Sequence, residues 1–208
     1  MPPAPSPRRA HPIEVESYRI LRSRVDTGHL PPLTRAVVER VVHTTADPTW
    51  TGDLVADETA LAEGRAALLA GAPLVTDVRM VAAAVTARDC VVGIDLPGVA
   101  DLALERGITR SAAGIRLAAR QWPDGAVWAI GNAPTALVEL VDLAAAGEVR
   151  PALVIGVPVG FVGSVAAKAM LRAAGLPSVS CATERGGAAI AAAAVNALLY
   201  FDGEDIRA

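Results

Sequence analysis

Short apolar runs alternate along this chain with segments of helical spacing. Runs at about 73–77, 90–95, 126–131, 152–157 and 178–183 lack the strict alternation of a half-exposed sheet and are read as buried strands. Helical patterns occupy about 78–86, 97–120 with a break near Gly107, 133–146, 163–174 and 186–200. Five buried strands joined by crossover helices predict a doubly wound α/β domain: a parallel sheet covered on both faces. Ligands of such sheets bind beyond the carboxyl ends of the strands. The loops at Thr76-Asp77, Asp95–Gly98, Gly131-Asn132, Pro158–Gly163 and Thr183–Gly187 therefore share one working edge.

Three helices precede the sheet. From Pro12 to about Asp26, Ile13, Ser17, Ile20, Leu21 and Arg24 fall on one stripe. Ser17 is polar on an otherwise buried side, and a hydroxyl bonded to the carbonyl one turn earlier is its simplest explanation. Pro31-Pro32 opens the second helix, whose inward stripe is Leu33, Ala36, Val37, Val41 and Thr44. Arg40 projects inside that stripe and His43 lies at its edge. A guanidinium keeps its charge and needs an anionic partner there, and such breaks of pattern concentrate at functional sites. His43 is either a structural histidine or an acid–base residue. Residues 44–57 read as a loop, after which Asp57 or Thr59 caps a helix running to Leu69 and stopped by Gly71.

The edge loops carry anion-binding chemistry. Asn132 is a suitable N-cap and Pro134 suits a first turn, so a helix N-terminus faces the crevice there. Gly160 and Gly163 allow close approach of backbone to a ligand, and Phe161 offers a flat apolar surface. Arg185 beside Gly186-Gly187 brings charge and backbone donors together. Asp77 is either an N-cap for the following helix or a site residue. Asp95 reads as a turn residue and Arg116 as solvated. Together these features predict a bulky, partly apolar anion as ligand.

Of the 208 residues 52% are hydrophobic but only 3% aromatic, so Ala, Val and Leu must build the core. A net charge of −3 argues against a nucleic-acid surface. Cys90 and Cys181 lie in apolar runs, as buried reduced thiols would. Residues 1–10 read as a disordered tail and 11–208 as a single domain, with no secretory leader and no membrane-spanning stretch. The 14 residues from Ala188 to Phe201 are too short to span a bilayer, so a cytoplasmic protein is expected. No GxGxxG follows the first strand, and neither a P-loop nor a GxSxG elbow occurs. The three histidines, His11, His29 and His43, form no HExxH site, so no metal is expected.

The words GNAPTAL at 131–137 and G-x-PVGFV at 156–162 resemble the precorrin-8X methylmutase family of cobalamin biosynthesis. VHTTADP at 42–48, GAP…D-x-x-M at 71–80, TRSAA at 109–113, Gly186-Gly187 and Asn196-Ala197-Leu198 extend the resemblance from about Ile13 to about Leu199. It implies a flavodoxin-like three-layer α/β/α fold with a five-stranded parallel sheet after N-terminal helices. The implied reaction moves a methyl group from carbon 11 to carbon 12 of one tetrapyrrole, giving hydrogenobyrinic acid or its cobalt-containing equivalent. That shift is intramolecular and needs no cofactor.

The resemblance puts the family's catalytic histidine on His43, as proton donor or hydrogen-bond partner of a ring nitrogen. It puts substrate contacts of the first two helices on Ser17 and Arg40. On the sheet edge the tetrapyrrole is expected to meet Asp77, then Gly131, Asn132, Ala133 and Thr135. Pro158, Gly160, Phe161 and Val162 flank the ring, and Arg185, Gly186 and Gly187 complete the site. Carboxylates are assigned to Arg40, Arg185 and the helix N-termini at 133 and 186. The family is homodimeric, so a homodimer is implied, with no nucleic-acid or membrane partner. Ala46 departs from the family, standing where glycine is frequent. A non-catalytic corrinoid carrier would bind the same ligand without requiring His43, and a nucleotide- or phosphosugar-binding protein is the plainer alternative for the fold.

Overall fold

Residues 11–203 are described by a computed structural model, and the tail expected at 1–10 lies outside the described residues. Helices α1 (Pro12–Arg24) and α2 (Pro32–Thr45) both start with proline in the first turn, where a missing N–H costs nothing. Helix α3 (Glu58–Leu69) is capped by Asp57, whose carboxylate accepts from the Ala60 N–H. Of the two caps expected for α3, the chain uses Asp57.

Among the described residues the sheet has six strands: β1 (Leu54–Ala56), β2 (Leu74–Thr76), β3 (Val91–Val92), β4 (Val127–Ile130), β5 (Leu153–Gly156) and β6 (Ser178–Cys181). They lie in the order β1-β6-β5-β4-β2-β3. Strands β2 to β6 are the five expected parallel strands. Strand β1 is a correction: it runs antiparallel to β6, with Leu54 opposite Cys181, so the sheet is mixed and six-stranded. This strand lies within the segment expected to be loop. Three residues supply too little period to be recognised alone, and the open edge of β6 makes them a strand.

The remaining helices are α4 (Arg79–Ala84), α5 (Val99–Arg106), α6 (Arg110–Gln121), α7 (Pro134–Ala145), α8 (Ser164–Ala173) and α9 (Ala188–Tyr200). The expected break between α5 and α6 is present, with Gly107 left-handed at φ 63°. Successive strand residues point to opposite faces. Leu74, Val127, Ala129, Leu153 and Ile155 join the core under α2, α3, α4 and α9, while Val75, Trp128, Ile130 and Val154 join the core under α6, α7 and α8. Helix α9 is buried from Ile190 to Leu198, and Asn196 there bonds the Thr86 N–H and the Ala84 carbonyl. None of the described helices is long and apolar enough to cross a membrane.

Several side chains depart from expectation. Helix α1 buries Tyr18 and Leu21, while Ile13 is 74% exposed and Arg24 faces outward. Its inward face is rotated to meet α2. Thr44 is also exposed, its hydroxyl bonded back to the Arg40 carbonyl. Arg116 is not solvated: it pairs with the mostly buried Glu139 between α6 and α7. Cys181 is buried, but Cys90 only half so, and both are free thiols.

Helix α2 ends on Ala46, the only non-glycine residue with positive φ among those described, at φ 53° and ψ 26°. An L-residue costs about 1–2 kcal/mol in this conformation. Ala46→Gly is therefore expected to raise stability by about 1 kcal/mol, read as a higher urea midpoint with unchanged slope. A lower midpoint would contradict the assigned backbone.

Candidate active site

The candidate residues fall into two groups: those of the α1–α2 pair and those of the loops that follow the parallel strands. On α2, Arg40 and His43 lie three residues apart on one face, opposite Glu14 and Ser17, three apart on α1. The Ser17 hydroxyl is 2.9 Å from His43 Nδ1, so it does not serve its own helix, as the simplest sequence explanation has it. The Tyr18 ring stacks on the imidazole at 4.9 Å between centroids and 14° between planes. With Nδ1 engaged and one face covered, His43 keeps Nε2 for other chemistry. Burial depresses the His43 pKa below its usual 6.5, the Arg40 cation lowers it further, and Glu14 works in the opposite sense.

Arg40 does project inward. Its guanidinium is 3.1 Å from the Glu14 carboxylate and 5.7 Å from the centre of the Tyr200 ring. Burial raises the pKa of the neighbouring Tyr18, against the pull of Arg40.

The β4–α7 loop is built differently from its sequence reading. Asn132 is not the cap: Ala133 occupies that position and makes no side-chain bond. The buried carboxylate of Asp77 instead accepts from the N–H groups of Gly131, Asn132 and Ala133 at 3.2, 2.9 and 2.8 Å. Asp77 does not cap α4 either, since Val78 holds that place. Two expectations change together. Asp77 is closed to a ligand, being fully buried, and the amides before α7 already serve an anion from the protein itself. Burial raises the Asp77 pKa, and the three backbone donors oppose that shift. Gly131 is required by packing, since a Cβ there would lie 2.9 Å from both Ala188 Cα and Ala191 Cβ of α9. The Thr135 hydroxyl meets that of Thr109, the cap of α6, at 2.7 Å.

The β5 and β6 loops are tied to one another. Gly160 N–H donates to the Glu184 carbonyl and Gly187 N–H to the Val157 carbonyl. A Cβ on Gly186 would collide with that same Val157 oxygen at 2.2 Å, so glycine is needed for this close crossing. Pro158 is buried and its carbonyl accepts from the Ser164 hydroxyl. Beyond it the chain turns outward: Phe161 is 97% exposed and Val162 89%.

Arg185 also departs from expectation as a carboxylate contact. Its guanidinium bonds Asp47 and Thr49, lies 3.4 Å from Asp53 and sits 4.2 Å from the centre of the Trp50 ring. Those acceptors belong to the segment that follows His43, so Arg185 is a strut between that segment and the β6 loop. Lys168 was not found from sequence. Fully buried, it donates to the carbonyls of Thr183 and Arg185 and lies 3.3 Å from Cys181 Sγ. Its signal was available: Lys168 falls on the buried stripe of α8 with Ser164, Ala167 and Leu171. Glu14 was missed too, because the neighbouring Ile13 drew the stripe to the wrong face.

A family model described as Precorrin-8X methylmutase matches residues 12–201. The chain belongs to the precorrin-8X methylmutase family. It is 41% identical over 191 residues to the Precorrin-8X methylmutase of Pseudomonas aeruginosa, covering 88% of this chain and 91% of that one. With the Cobalt-precorrin-8 methylmutase of Methanocaldococcus jannaschii it shares 38% identity over 165 residues, 79% of this chain and 78% of the relative. The solved precorrin-8X methylmutase of Thermus thermophilus superposes with a TM-score of 0.82 at 34% identity, covering 90% of this chain and 93% of that one.

The Asp77 carboxylate is tested by Asp77→Asn. The amide keeps the shape but replaces one acceptor with a donor facing backbone N–H groups. A loss of about 1–3 kcal/mol in urea unfolding is expected, and an unchanged midpoint would show that the carboxylate does not hold the loop.

Proposed function

We propose that this family member catalyses the intramolecular migration of a methyl group from carbon 11 to carbon 12 of precorrin-8X, or of its cobalt-containing equivalent, giving the hydrogenobyrinic acid framework. The observation that carries the reading is the His43 constellation: an imidazole fixed at Nδ1 by Ser17, covered by Tyr18 and placed beside a cation suited to carboxylates. Relatives named for both substrate forms support the substrate class.

In this mechanism His43 delivers a proton from Nε2 to a nitrogen of the macrocycle. Protonation withdraws electron density from the conjugated ring and favours the arrangement in which the methyl group migrates between adjacent carbons. The methyl group leaves and arrives within one molecule, so no donor enters the balance, and the proton returns to His43 when product forms. An imidazolium with a depressed pKa is a stronger acid than free histidine, which suits transfer to a weakly basic ring nitrogen. Arg40 meets a peripheral carboxylate with the donors that Glu14 leaves open. Phe161 and Val162 lie against the ring, with Gly160 keeping the loop backbone close. Remote carboxylate binding then holds the ring in its reactive orientation.

The parallel strands β2 to β6 occur in the order β3-β2-β4-β5-β6 across the sheet. That order supports reading the domain as flavodoxin-like with one added antiparallel edge. The exposed Phe161, Val162 and Ile13 support a homodimer in which a second chain helps to enclose the ring. A cytoplasmic location fits a biosynthetic enzyme of this kind.

The test is a visible-absorption assay of precorrin-8X conversion across pH. With His43 as proton donor, kcat/KM falls as pH rises, with a midpoint below 6.5 because burial and Arg40 both disfavour the charged ring of the free enzyme. A rate that stays level from pH 5 to 8 would contradict proton donation by His43.

A further inference from the structure

The α1–α2 contact has two rungs. In one, Ser17 meets His43 at 2.9 Å; in the other, three residues earlier on both helices, Glu14 meets Arg40 at 3.1 Å. The second rung is mostly buried, with the Arg40 side chain 14% and the Glu14 side chain 13% exposed. Such a pair differs from a solvated surface bridge. Arg40 keeps its charge at any working pH, and without an anion beside it a partly desolvated cation would stand next to the imidazole.

We propose that Glu14 is a positioning residue for the methyl shift, its carboxylate fixing the Arg40 guanidinium and balancing that cation beside His43. The proposal rests on His43 being the proton donor. A guanidinium on a long side chain has many rotamers. Glu14 anchors one of its nitrogens, and the Tyr200 ring lies 5.7 Å from its centre, so its remaining donors keep one direction. Among the described residues, the groups around this pair include Ser17 and Tyr18 on α1, His43 on α2 and Tyr200 on α9, with Arg22 of α1 and Glu39 of α2 paired on the far side of Tyr18. Glu14 supplies the carboxylate in direct contact with Arg40, so that cation has an anionic partner within the protein. The carboxylate also favours the charged imidazole, against Arg40 and burial, and so keeps His43 protonated at higher pH than it would be alone.

The experiment compares wild type, Glu14→Gln and Glu14→Asp in two measurements on the full chain. The first is an NMR titration of the three imidazoles, His11, His29 and His43, with His43→Ala to assign the signal. The His43 midpoint is expected to move to lower pH in Glu14→Gln and to stay nearer wild type in Glu14→Asp, which keeps the charge. The second is the pH profile of precorrin-8X conversion, whose midpoint should move in the same direction, with kcat/KM at pH 7 falling severalfold in Glu14→Gln and recovering in Glu14→Asp. An unchanged His43 titration and an unchanged kcat/KM profile in Glu14→Gln, with at most a lower Tm, would overturn the proposal and leave Glu14 a structural residue. Failure of the wild type to convert precorrin-8X would strike instead at the reaction assigned above, and the NMR titration would still decide whether Glu14 acts on His43.

Discussion

The site depends first on the contact between α2 and the alanine-rich α9. Helix α9 carries Ala191 to Ala194 and Ala197 fully or nearly buried, with Val195 and Leu198 supplying bulk. Small side chains let neighbouring elements approach closely, and close packing transmits position. Val37, Val38, Val41 and Val42 of α2 belong to the same core as α9. Arg40 and His43 are thereby carried on a helix fixed against α9, to which α1 adds Ser17, Tyr18 and Glu14. The low aromatic content seen in the sequence is the compositional side of this arrangement.

Buried charges hold the edge loops rather than waiting for ligand. Asp77 gathers three backbone N–H groups of the β4–α7 loop, and Lys168 gathers two carbonyls of the β6–α9 loop. Each replaces hydration lost on burial with hydrogen bonds to main chain, the condition under which a buried charge is tolerated. Arg185 adds a strut from the β6 loop to the segment after His43. The loops after β4 and β6 are thus ordered by buried side chains, while Phe161 and Val162 of the β5 loop are exposed. Binding energy need not be spent on ordering those loops.

Much of this was legible in the sequence for a specific physical reason. The five parallel strands are buried on both faces and so appear as continuous apolar runs, whereas β1 owes its existence to pairing with β6 and leaves no pattern of its own. Ser17, Arg40 and His43 were visible because polar residues interrupted apolar stripes, and the structure gathers them on facing sides of α1 and α2. The work of Asp77 was not visible, since its partners lie 54 to 56 residues away and are backbone groups without sequence identity. Arg185 was seen as a free charge because Asp47 and Asp53 are more than 130 residues distant. The resemblance to a known family suggested where the chemistry lies, and the tertiary contacts show which of those residues are already committed to partners within the protein.

The central claim is that His43 performs the chemistry and does more than bind. It is tested most directly by following the visible spectrum of precorrin-8X with wild type and with His43→Ala, while measuring hydrogenobyrinic acid binding to both. The account predicts conversion by the wild type, loss of conversion in the variant, and product binding retained in each. Conversion by His43→Ala at the wild-type rate would contradict it.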